Sequence, residues 1–260
     1  MTTIDAIILG IVQGLTEFLP VSSSGHLELV QHLLGMQDLS QYILFDLICH
    51  LGTLLAIFFI FFNQIKELLF QNTSRLKQLI LATLPLFPLV LIMKPIKAVY
   101  GDPSYLGFFF LITACILFLG VRFGKIIPET QRRKHTWRDA TIIGTWQAAA
   151  VLPGVSRSGS TISGARLLGW SPAEAVTFSF LLAIPAILGG ATLEIIKLSQ
   201  HPENISSLSL SHYSIGFLVS FIVGIGSLQL LIRLATHNKF TYFAWYCLVL
   251  GLVTIAYFHF

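Results

Sequence analysis

Two stretches of the chain share one unusual pattern: GIVQGLTEFLPVSSSGH (10–26) and GTWQAAAVLPGVSRSGST (144–161). Each begins as an apolar, helix-like run and then breaks at Pro, Ser and Gly, and each lies in an apolar region, 4–35 or 139–168, that resumes after the break. The helical halves are too short to cross a bilayer, which takes about 20 residues. Because broken backbone at membrane depth must be buried in protein or face a watery cavity, the pattern predicts two re-entrant helix–loop–helix hairpins.

The composition of the whole chain predicts that these hairpins lie in a membrane. Of the 260 residues, 55% are hydrophobic and 11% are charged, and the mean hydropathy is +0.79. Soluble domains carry about 25% charged residues, so a soluble globule is excluded. Nucleic-acid binding finds no support, because the basic residues lie between apolar runs rather than on one polar face. Membrane-spanning helices are predicted at about 43–62, 79–99, 106–123, 173–197, 213–234 and 241–259.

The two hairpins match each other when the first is shifted by 134 residues. At this shift Gly10, Gln13, Val21, Ser22, Ser24 and Gly25 coincide with Gly144, Gln147, Val155, Ser156, Ser158 and Gly159. The match predicts one all-α membrane domain of two repeats, about 1–123 and about 139–260, joined by a linker at 124–138. Each repeat is a hairpin plus three spans, and an odd number of spans requires inverted topology. Inverted repeats place a binding site near the midplane, where broken helices meet.

The distribution of Lys and Arg predicts the orientation of the chain. If the linker at 124–138 is cytoplasmic, most of the 16 Lys and Arg fall on the inner side, in agreement with the positive-inside rule. Both termini then lie outside. The first hairpin enters from outside and the second from the cytoplasm, so that their tips are expected to meet within the membrane.

Charged side chains inside a membrane are costly and are functional candidates by default. Gln13 and Glu17 are four residues apart and therefore share one helix face, just before the first break. Glu17 is a candidate proton acceptor or ligand of a divalent cation. The alternative is a carboxylate that only holds the loop by hydrogen bonds. Asp46 and His50, also four residues apart, lie at the outer end of the first span. The pair is expected to form an interfacial cap, and the alternative is that it lines the entrance of a cavity.

The first break offers hydroxyls and an imidazole. Ser22 and Ser23 precede His26, and the break is predicted to lead into a helix over 26–35. Free N–H groups and the dipole at a helix start favour phosphate. His26 is a candidate acid, base or nucleophile. The alternative is ordinary capping of the helix by serine.

The second break carries Arg157 in place of the middle serine of the first. Arginine is always charged and binds phosphate bidentately. Inside a bilayer it needs an anion, which we expect to be Glu17, a ligand phosphate, or both in turn. The alternative is a structural ion pair that joins the two halves. Further donors around it favour the ligand role: Ser156, Ser158 and Thr161.

These residue types together indicate a site for an anion such as phosphate or diphosphate. With few acidic residues in the spans, a cation site built by protein ligands alone is not expected. The sequence instead predicts a divalent cation, Mg²⁺ or Ca²⁺, held jointly by Glu17 and the phosphates of a substrate.

The stretches GIVQGLTEFLPVSSSGHL (10–27) and PGVSRSGST (153–161) closely resemble the two signature regions of the bacitracin-resistance phosphatase family, the bacterial undecaprenyl-diphosphate phosphatases. The likeness extends over nearly the whole chain in length, in segment order and in the stretch FSFLLAIP (178–185). The (Glu/Gln)xxxGlu motif of that family falls on Gln13 and Glu17, and many relatives have Glu in place of Gln13. The other two motifs fall on Ser22, Ser23, His26, Ser156, Arg157, Ser158 and Thr161.

The resemblance implies hydrolysis of undecaprenyl diphosphate, the C55 isoprenoid diphosphate, to the monophosphate and inorganic phosphate. This reaction recycles the lipid carrier of cell-wall synthesis and confers bacitracin resistance. The resemblance also implies a multi-pass protein of the bacterial inner membrane that requires a divalent cation and whose active site opens to the periplasm. The catalytic candidates are then Glu17, Ser23, His26 and Arg157, and the substrate-binding candidates are Gln13, Ser22, Ser156, Ser158 and Thr161.

Two alternatives stay open at the level of sequence. The nucleophile is Ser23, His26 or a water molecule, with Glu17 or His26 as the base. The competing function is a flippase or transporter of the lipid carrier, because inverted repeats with paired hairpins are typical of transporters. Undecaprenyl diphosphate and the lipid bilayer are the expected partners, and a homodimer is an open alternative to a monomer.

Overall fold

The computed structural model is helical wherever its structure is regular, and it describes residues 1–36, 38–89, 102–124, 135–152, 154–200, 208–236 and 239–260. In chain order the principal helices are α1 (Thr3–Thr16), α2 (Ser23–Leu33), α3 (Ile43–Ile60), α4 (Phe62–Phe70), α5 (Thr73–Thr83), α6 (Leu106–Phe123), α7 (Trp137–Ala149), α8 (Arg157–Leu167), α9 (Pro172–Gln200), α10 (Leu210–Thr236) and α11 (Thr241–His259). Short 3-10 turns, Leu39–Tyr42 and Pro103–Tyr105, lead into α3 and α6. The predicted all-α class is confirmed.

Five helical segments of the described residues are long and apolar enough to cross a membrane: Leu39–Ile60, Pro103–Phe123, Pro172–Gln200, Leu210–Ala235 and Thr241–His259. They agree with five of the predicted spans, so the chain is a multi-pass membrane protein. The sixth predicted span, 79–99, begins within α5 but runs into residues 90–99, which lie outside the described residues. In its described part, α5 ends at Thr83 and a turn at 84–85 follows.

The helices that precede the two breaks begin with the same N-terminal capping motif. In α1 and α7 the hydroxyl of Thr2 or Thr136 accepts a hydrogen bond from an N–H three residues later, and the carboxylate of Asp5 or Asp139 accepts one from the N–H of the cap. This capping box satisfies backbone donors that the first turn of a helix leaves unpaired. Each hairpin therefore starts at a defined residue.

The helix after the first break begins earlier than the sequence predicted. The chain turns at Ser22, whose φ of 73° lies in the left-handed region, and α2 starts at Ser23 instead of residue 26. Ser23 is consequently the first residue of a helix rather than part of a loop. After the second break, Ser156 caps α8 by accepting a hydrogen bond from the N–H of Gly159 over 3.0 Å.

Close helix packing brings the two breaks together. Helix α10 packs against α1 and α3, where Ser227 Oγ donates to the carbonyl of Gly14 over 2.6 Å and Ser220 Oγ donates to the carbonyl of Cys49 over 2.9 Å. In a bilayer the lipid tails are as apolar as the side chains, so the hydrophobic effect does not drive helices together. Close packing at small residues and hydrogen bonds of this kind hold the helices together instead. Helix α7 likewise packs against α5, so each hairpin docks on a helix of the other half. The inverted relation of the two halves stays a prediction.

Gly14→Ala is expected to destabilise the protein. A Cβ at this position would lie 2.8 Å from Cβ of Val223 and 2.9 Å from the carbonyl oxygen of Ser220, so that α1 and α10 must move apart. Overpacking of this kind costs about 1–3 kcal/mol, which should lower the midpoint of thermal unfolding in detergent. Gly226→Ala on α10 is the matched control, because its added Cβ meets no described atom within 4 Å. Equal midpoints for the two variants would contradict the close approach of α1 to α10.

Candidate active site

The two breaks meet through a largely buried ion pair. Arg157, the first residue of α8, donates from Nη2 to Oε1 of Glu17, just after α1, over 2.5 Å. A second link runs from Ser158 Oγ to the carbonyl oxygen of Leu19 over 3.4 Å. The side chain of Glu17 is 4% exposed and that of Arg157 is 18% exposed. Because a lone charge is costly in so apolar a setting, each partner stabilises the other, and both halves of the chain share one polar centre.

The second carboxylate oxygen of Glu17 accepts hydrogen bonds from two neighbouring side chains. Oε2 accepts hydrogen bonds from Ser23 Oγ over 2.6 Å and from Gln13 Nε2 over 3.0 Å. Nε2 of His50 lies 3.6 Å from the same oxygen. The hydroxyl proton of Ser23 thus points at a carboxylate that is held in place from several sides. This arrangement allows Glu17 to accept the proton of Ser23.

The polar centre opens into a cavity of about 510 Å³. Its polar lining includes Glu17, Ser22, Ser23, Ser156, Arg157 and Ser158. Part of the wall is apolar and comes from α3, α9 and the segment after α5: Ile43, Leu47, Leu86, Ala186, Ile187 and Ala191. A cavity lined by an arginine, several hydroxyls and apolar side chains suits a ligand that has an anionic head and a hydrocarbon tail.

Three residues that line the cavity carry a buried polar atom with no hydrogen-bond partner among the described residues. The atoms are Nη1 of Arg157, Oγ of Ser22 and Oε1 of Gln147. Proteins rarely leave buried polar atoms unpaired, and such atoms in a binding site are satisfied by the ligand. A guanidinium with one nitrogen on Glu17 and the other without a partner retains donors for phosphate oxygens. The two unpaired donors, Nη1 of Arg157 and the hydroxyl of Ser22, therefore fit an anion.

Two predicted binding residues are buried but are not among the residues that line the cavity. Gln13 donates to Glu17, as described above. Thr161 Oγ1 donates to the carbonyl of Arg157 over 3.0 Å and lies 2.6 Å from Ser179 Oγ. These side chains support Glu17 and the first turn of α8, and their contact with substrate stays a prediction. The motif spacing gave their position in the chain but not the direction in which the packed helices turn them.

The third predicted residue outside the cavity lining is His26, which is 6% exposed. Its Nδ1 donates to the carbonyl of Ser22 over 2.7 Å, and its Nε2 lies 2.8 Å from the hydroxyl oxygen of Tyr246 on α11. The structure therefore directs this imidazole to α11, whereas the sequence grouped it with the serines of the break.

Asp46 and His50 both line the cavity, which is the alternative that the sequence left open beside an interfacial cap. The ring of His50 lies beside Glu17. Its Nδ1 donates to the backbone carbonyl of Asp46 over 2.8 Å, and the Asp46 carboxylate accepts from Gln31 Nε2 over 2.9 and 3.1 Å. The four-residue spacing showed that Asp46 and His50 share a face of α3. Only the packing of α3 beside α1 turns that face to the cavity.

Protein ligands for a divalent cation are few. The described residues contain no group of three or more His, Cys, Asp and Glu that would hold a metal. The carboxylates of the cavity lining are Glu17, Asp46 and Glu194, and both oxygens of Glu17 already accept hydrogen bonds. Mg²⁺ is usually held by one or two carboxylates together with substrate phosphates. The residues present therefore fit a cation whose coordination is completed by a phosphorylated ligand.

Known proteins resemble this chain over almost its full length. The family model described as Bacitracin resistance protein BacA matches residues 6–253. The undecaprenyl-diphosphatase of Protochlamydia amoebophila (strain UWE25) is 52% identical over 259 residues, which cover 99% of each chain. The undecaprenyl-diphosphatases of Carboxydothermus hydrogenoformans and Rhodopirellula baltica are 39% and 38% identical, over 98% and 97% of this chain and 97% and 96% of their own. The chain therefore belongs to the bacitracin resistance protein BacA family.

Proposed function

We propose that this chain is a membrane diphosphatase that converts undecaprenyl diphosphate to undecaprenyl phosphate and inorganic phosphate. The observation that carries the proposal is the contact of Arg157 with Glu17 at a cavity lined by hydroxyls and apolar side chains. Relatives named undecaprenyl-diphosphatase match nearly the whole chain. Their names support hydrolysis rather than the lipid transport that the repeat pattern left open.

The two parts of the substrate contact different side chains of the cavity: the diphosphate contacts the polar ones and the isoprenoid chain contacts the apolar ones. The diphosphate lies beside Arg157 and Ser22, whose Nη1 and Oγ atoms have no hydrogen-bond partner among the described residues. Ser156 and Ser158 add further hydroxyls to the same lining. The isoprenoid chain lies against the apolar walls and continues into the bilayer. Because arginine holds two phosphate oxygens at once, Arg157 both orients the diphosphate and neutralises the charge that grows on it during transfer.

Ser23 is the nucleophile of the proposed reaction, and Glu17 is its base. The Ser23 hydroxyl, 2.6 Å from Oε2 of Glu17, gives up its proton to that oxygen as its own oxygen attacks the terminal phosphorus. A bond forms between Ser23 Oγ and phosphorus, and the bond from phosphorus to the bridging oxygen breaks. Undecaprenyl phosphate departs with the bridging oxygen and takes up the proton from Glu17, while Arg157 stabilises the transferred group.

Water then releases inorganic phosphate. Glu17, ionised again, accepts a proton from a water molecule that attacks the phosphorus of phosphorylated Ser23. The bond from Ser23 to phosphorus breaks, and Ser23 recovers a proton from Glu17. Direct attack of water on the diphosphate, with Glu17 as the same base, is the alternative that the experiments below distinguish.

A divalent cation, Mg²⁺ or Ca²⁺, belongs to the same proposal. Glu17 would hold it together with phosphate oxygens of the substrate, in keeping with the few carboxylates of the cavity. When bound, such an ion neutralises phosphate charge as a Lewis acid. The contribution of the chain is to hold the Glu17 carboxylate in one orientation through Gln13 and Ser23.

In the cell we expect the chain in the bacterial inner membrane, with the cavity open to the periplasm. The asymmetry of Lys and Arg about the linker at 124–138 supports this orientation. In that position the enzyme would recycle the lipid carrier of cell-wall synthesis and confer resistance to bacitracin. The homodimer stays a prediction.

The first test removes the central ion pair one partner at a time. Glu17→Gln keeps the shape of the side chain but removes the base, and Arg157→Ala removes the phosphate donor. Each is expected to lower phosphate release from undecaprenyl diphosphate in detergent by at least about 100-fold, with folded protein retained in the membrane. The exposed residues Glu67 and Arg138 provide controls, since Glu67→Gln and Arg138→Ala should leave the rate unchanged. A site variant that keeps more than a tenth of the activity would refute the role of that residue.

The second test decides between Ser23 and water as the nucleophile. Ser23→Ala is expected to lose at least about 100-fold in rate and to abolish the transfer of labelled phosphate to the protein after an acid quench. Ser214→Ala, at an exposed position of α10, serves as the control and should behave as wild type. Near-normal turnover by Ser23→Ala would instead identify water as the attacking group.

The third test concerns the cation. Removal of divalent ions with EDTA is expected to suppress phosphate release from the wild-type protein, and added Mg²⁺ or Ca²⁺ should restore it, because the phosphate charges then lack their counter-ion. The measurement is the rate as a function of free metal concentration in detergent. An EDTA-treated protein with its full rate would contradict the requirement.

A further inference from the structure

His26 joins the first break to α11 by a continuous chain of hydrogen bonds. The hydroxyl oxygen of Tyr246 lies 2.8 Å from Nε2 of His26, and Nδ1 of His26 donates to the carbonyl of Ser22 over 2.7 Å. The rings of His26 and Tyr246 are stacked 9° from parallel with centroids 5.7 Å apart, and Phe110 packs edge-on at 5.1 Å. The imidazole is therefore held at both nitrogens as well as by its ring.

The two partners determine which nitrogen of His26 carries the proton. A backbone carbonyl only accepts, so Nδ1 must donate to Ser22. The lone pair of Nε2 in the neutral ring then accepts from the Tyr246 hydroxyl. Both polar atoms of the ring are used, and the ring is not part of the cavity lining. No lone pair of His26 is left to take a proton from Ser23 or from water.

The carbonyl that His26 holds belongs to a residue whose conformation needs support. Ser22 is the one non-glycine residue with a positive φ, 73°, in the described part of the chain. The next residue, Ser23, begins α2 and directs its hydroxyl at Glu17 over 2.6 Å. The orientation of the peptide between Ser22 and Ser23 therefore sets the direction of the Ser23 hydroxyl.

We propose that His26 and Tyr246 are positioning residues for Ser23. Tyr246 on α11 holds the ring of His26, His26 holds the carbonyl of Ser22, and Ser23 is thereby kept within hydrogen-bond reach of Glu17. The inference rests on the proposed function, deepens it, and removes His26 from the candidates for base and nucleophile. It also links the last helix of the second half to the reactive serine of the first.

The decisive variant at position 26 keeps a hydrogen-bond donor in place of Nδ1–H but cannot act as a base. His26→Asn places an amide N–H where Nδ1–H stood, so it still holds the Ser22 carbonyl, and it has no group that takes up a proton near neutral pH. In phosphate release from undecaprenyl diphosphate in detergent, its kcat should stay within about tenfold of wild type. His26→Ala lacks this side-chain donor and leaves the Ser22 carbonyl only the longer bond of 3.2 Å from the backbone N–H of residue 26. It should lose about 100-fold in kcat, because a displaced nucleophile reacts slowly. KM should change in neither variant. Equal large losses in folded His26→Asn and His26→Ala would show that His26 transfers protons and would overturn the proposal.

A variant of Tyr246 tests the hydrogen bond from this residue to His26. Tyr246→Phe removes only the hydroxyl and should lower kcat by about fivefold with KM unchanged. The effect should vanish in the His26→Asn background, because Tyr246 acts only through Nε2 of His26. Tyr242→Phe, at an exposed position of the same helix, is the matched control and should leave the rate unchanged. A wild-type rate in Tyr246→Phe, or an undiminished effect in the double variant, would overturn the proposal.

These measurements separate failure of the positioning role from failure of the proposed function. A wild-type protein that releases no phosphate refutes the diphosphatase activity itself. If the wild-type protein releases phosphate but the rates of the His26 and Tyr246 variants do not follow the losses stated above, only the role of His26 and Tyr246 is refuted. If the variants of His26 do not fold, the comparison of Tyr246→Phe with Tyr242→Phe decides alone.

Discussion

The contact between Arg157 and Glu17 is the interaction on which the rest of this structure depends. Each charge lies in an apolar surrounding where, alone, it would be strongly unfavourable, so neither hairpin is satisfied without the other. The 2.5 Å hydrogen bond therefore does more than neutralise charge. It requires the broken backbone of one half to lie beside the broken backbone of the other, and it leaves one guanidinium nitrogen without a partner at the cavity.

Packing of the hairpins on opposite halves makes this contact possible. Helix α1 approaches α10 closely because Gly14 has no side chain, and Ser227 of α10 donates to the carbonyl of Gly14. Helix α7 packs against α5 of the first half. The result is a cavity lined by Glu17, Arg157 and other polar side chains together with aliphatic residues of α3 and α9. An amphiphile with a phosphorylated head matches both environments, which joins the fold to the proposed diphosphatase chemistry.

Much of this was predictable because it depends on local physics. The apolar runs predicted five spans that the structure contains, and the Pro, Ser and Gly clusters predicted both helix breaks. The cost of a charge in a membrane predicted that Arg157 needs an anion, and Glu17 is that anion. The predicted start of α2 at residue 26 was wrong, because no local pattern indicated that Ser22 adopts a positive φ and lets the helix begin at Ser23.

The sequence alone determined the chemistry that each residue carries and the face of its own helix on which it lies. It specified the Ser-rich breaks, the lone carboxylate of the first motif and the four-residue pairing of Asp46 with His50. Tertiary structure decided which of these faces meet. It brought His50 to Glu17 and turned His26 away to Tyr246, 220 residues later in the chain. The physical reason is that helical periodicity relates only neighbours in the chain, whereas contacts between distant helices depend on packing against surfaces that no local pattern describes.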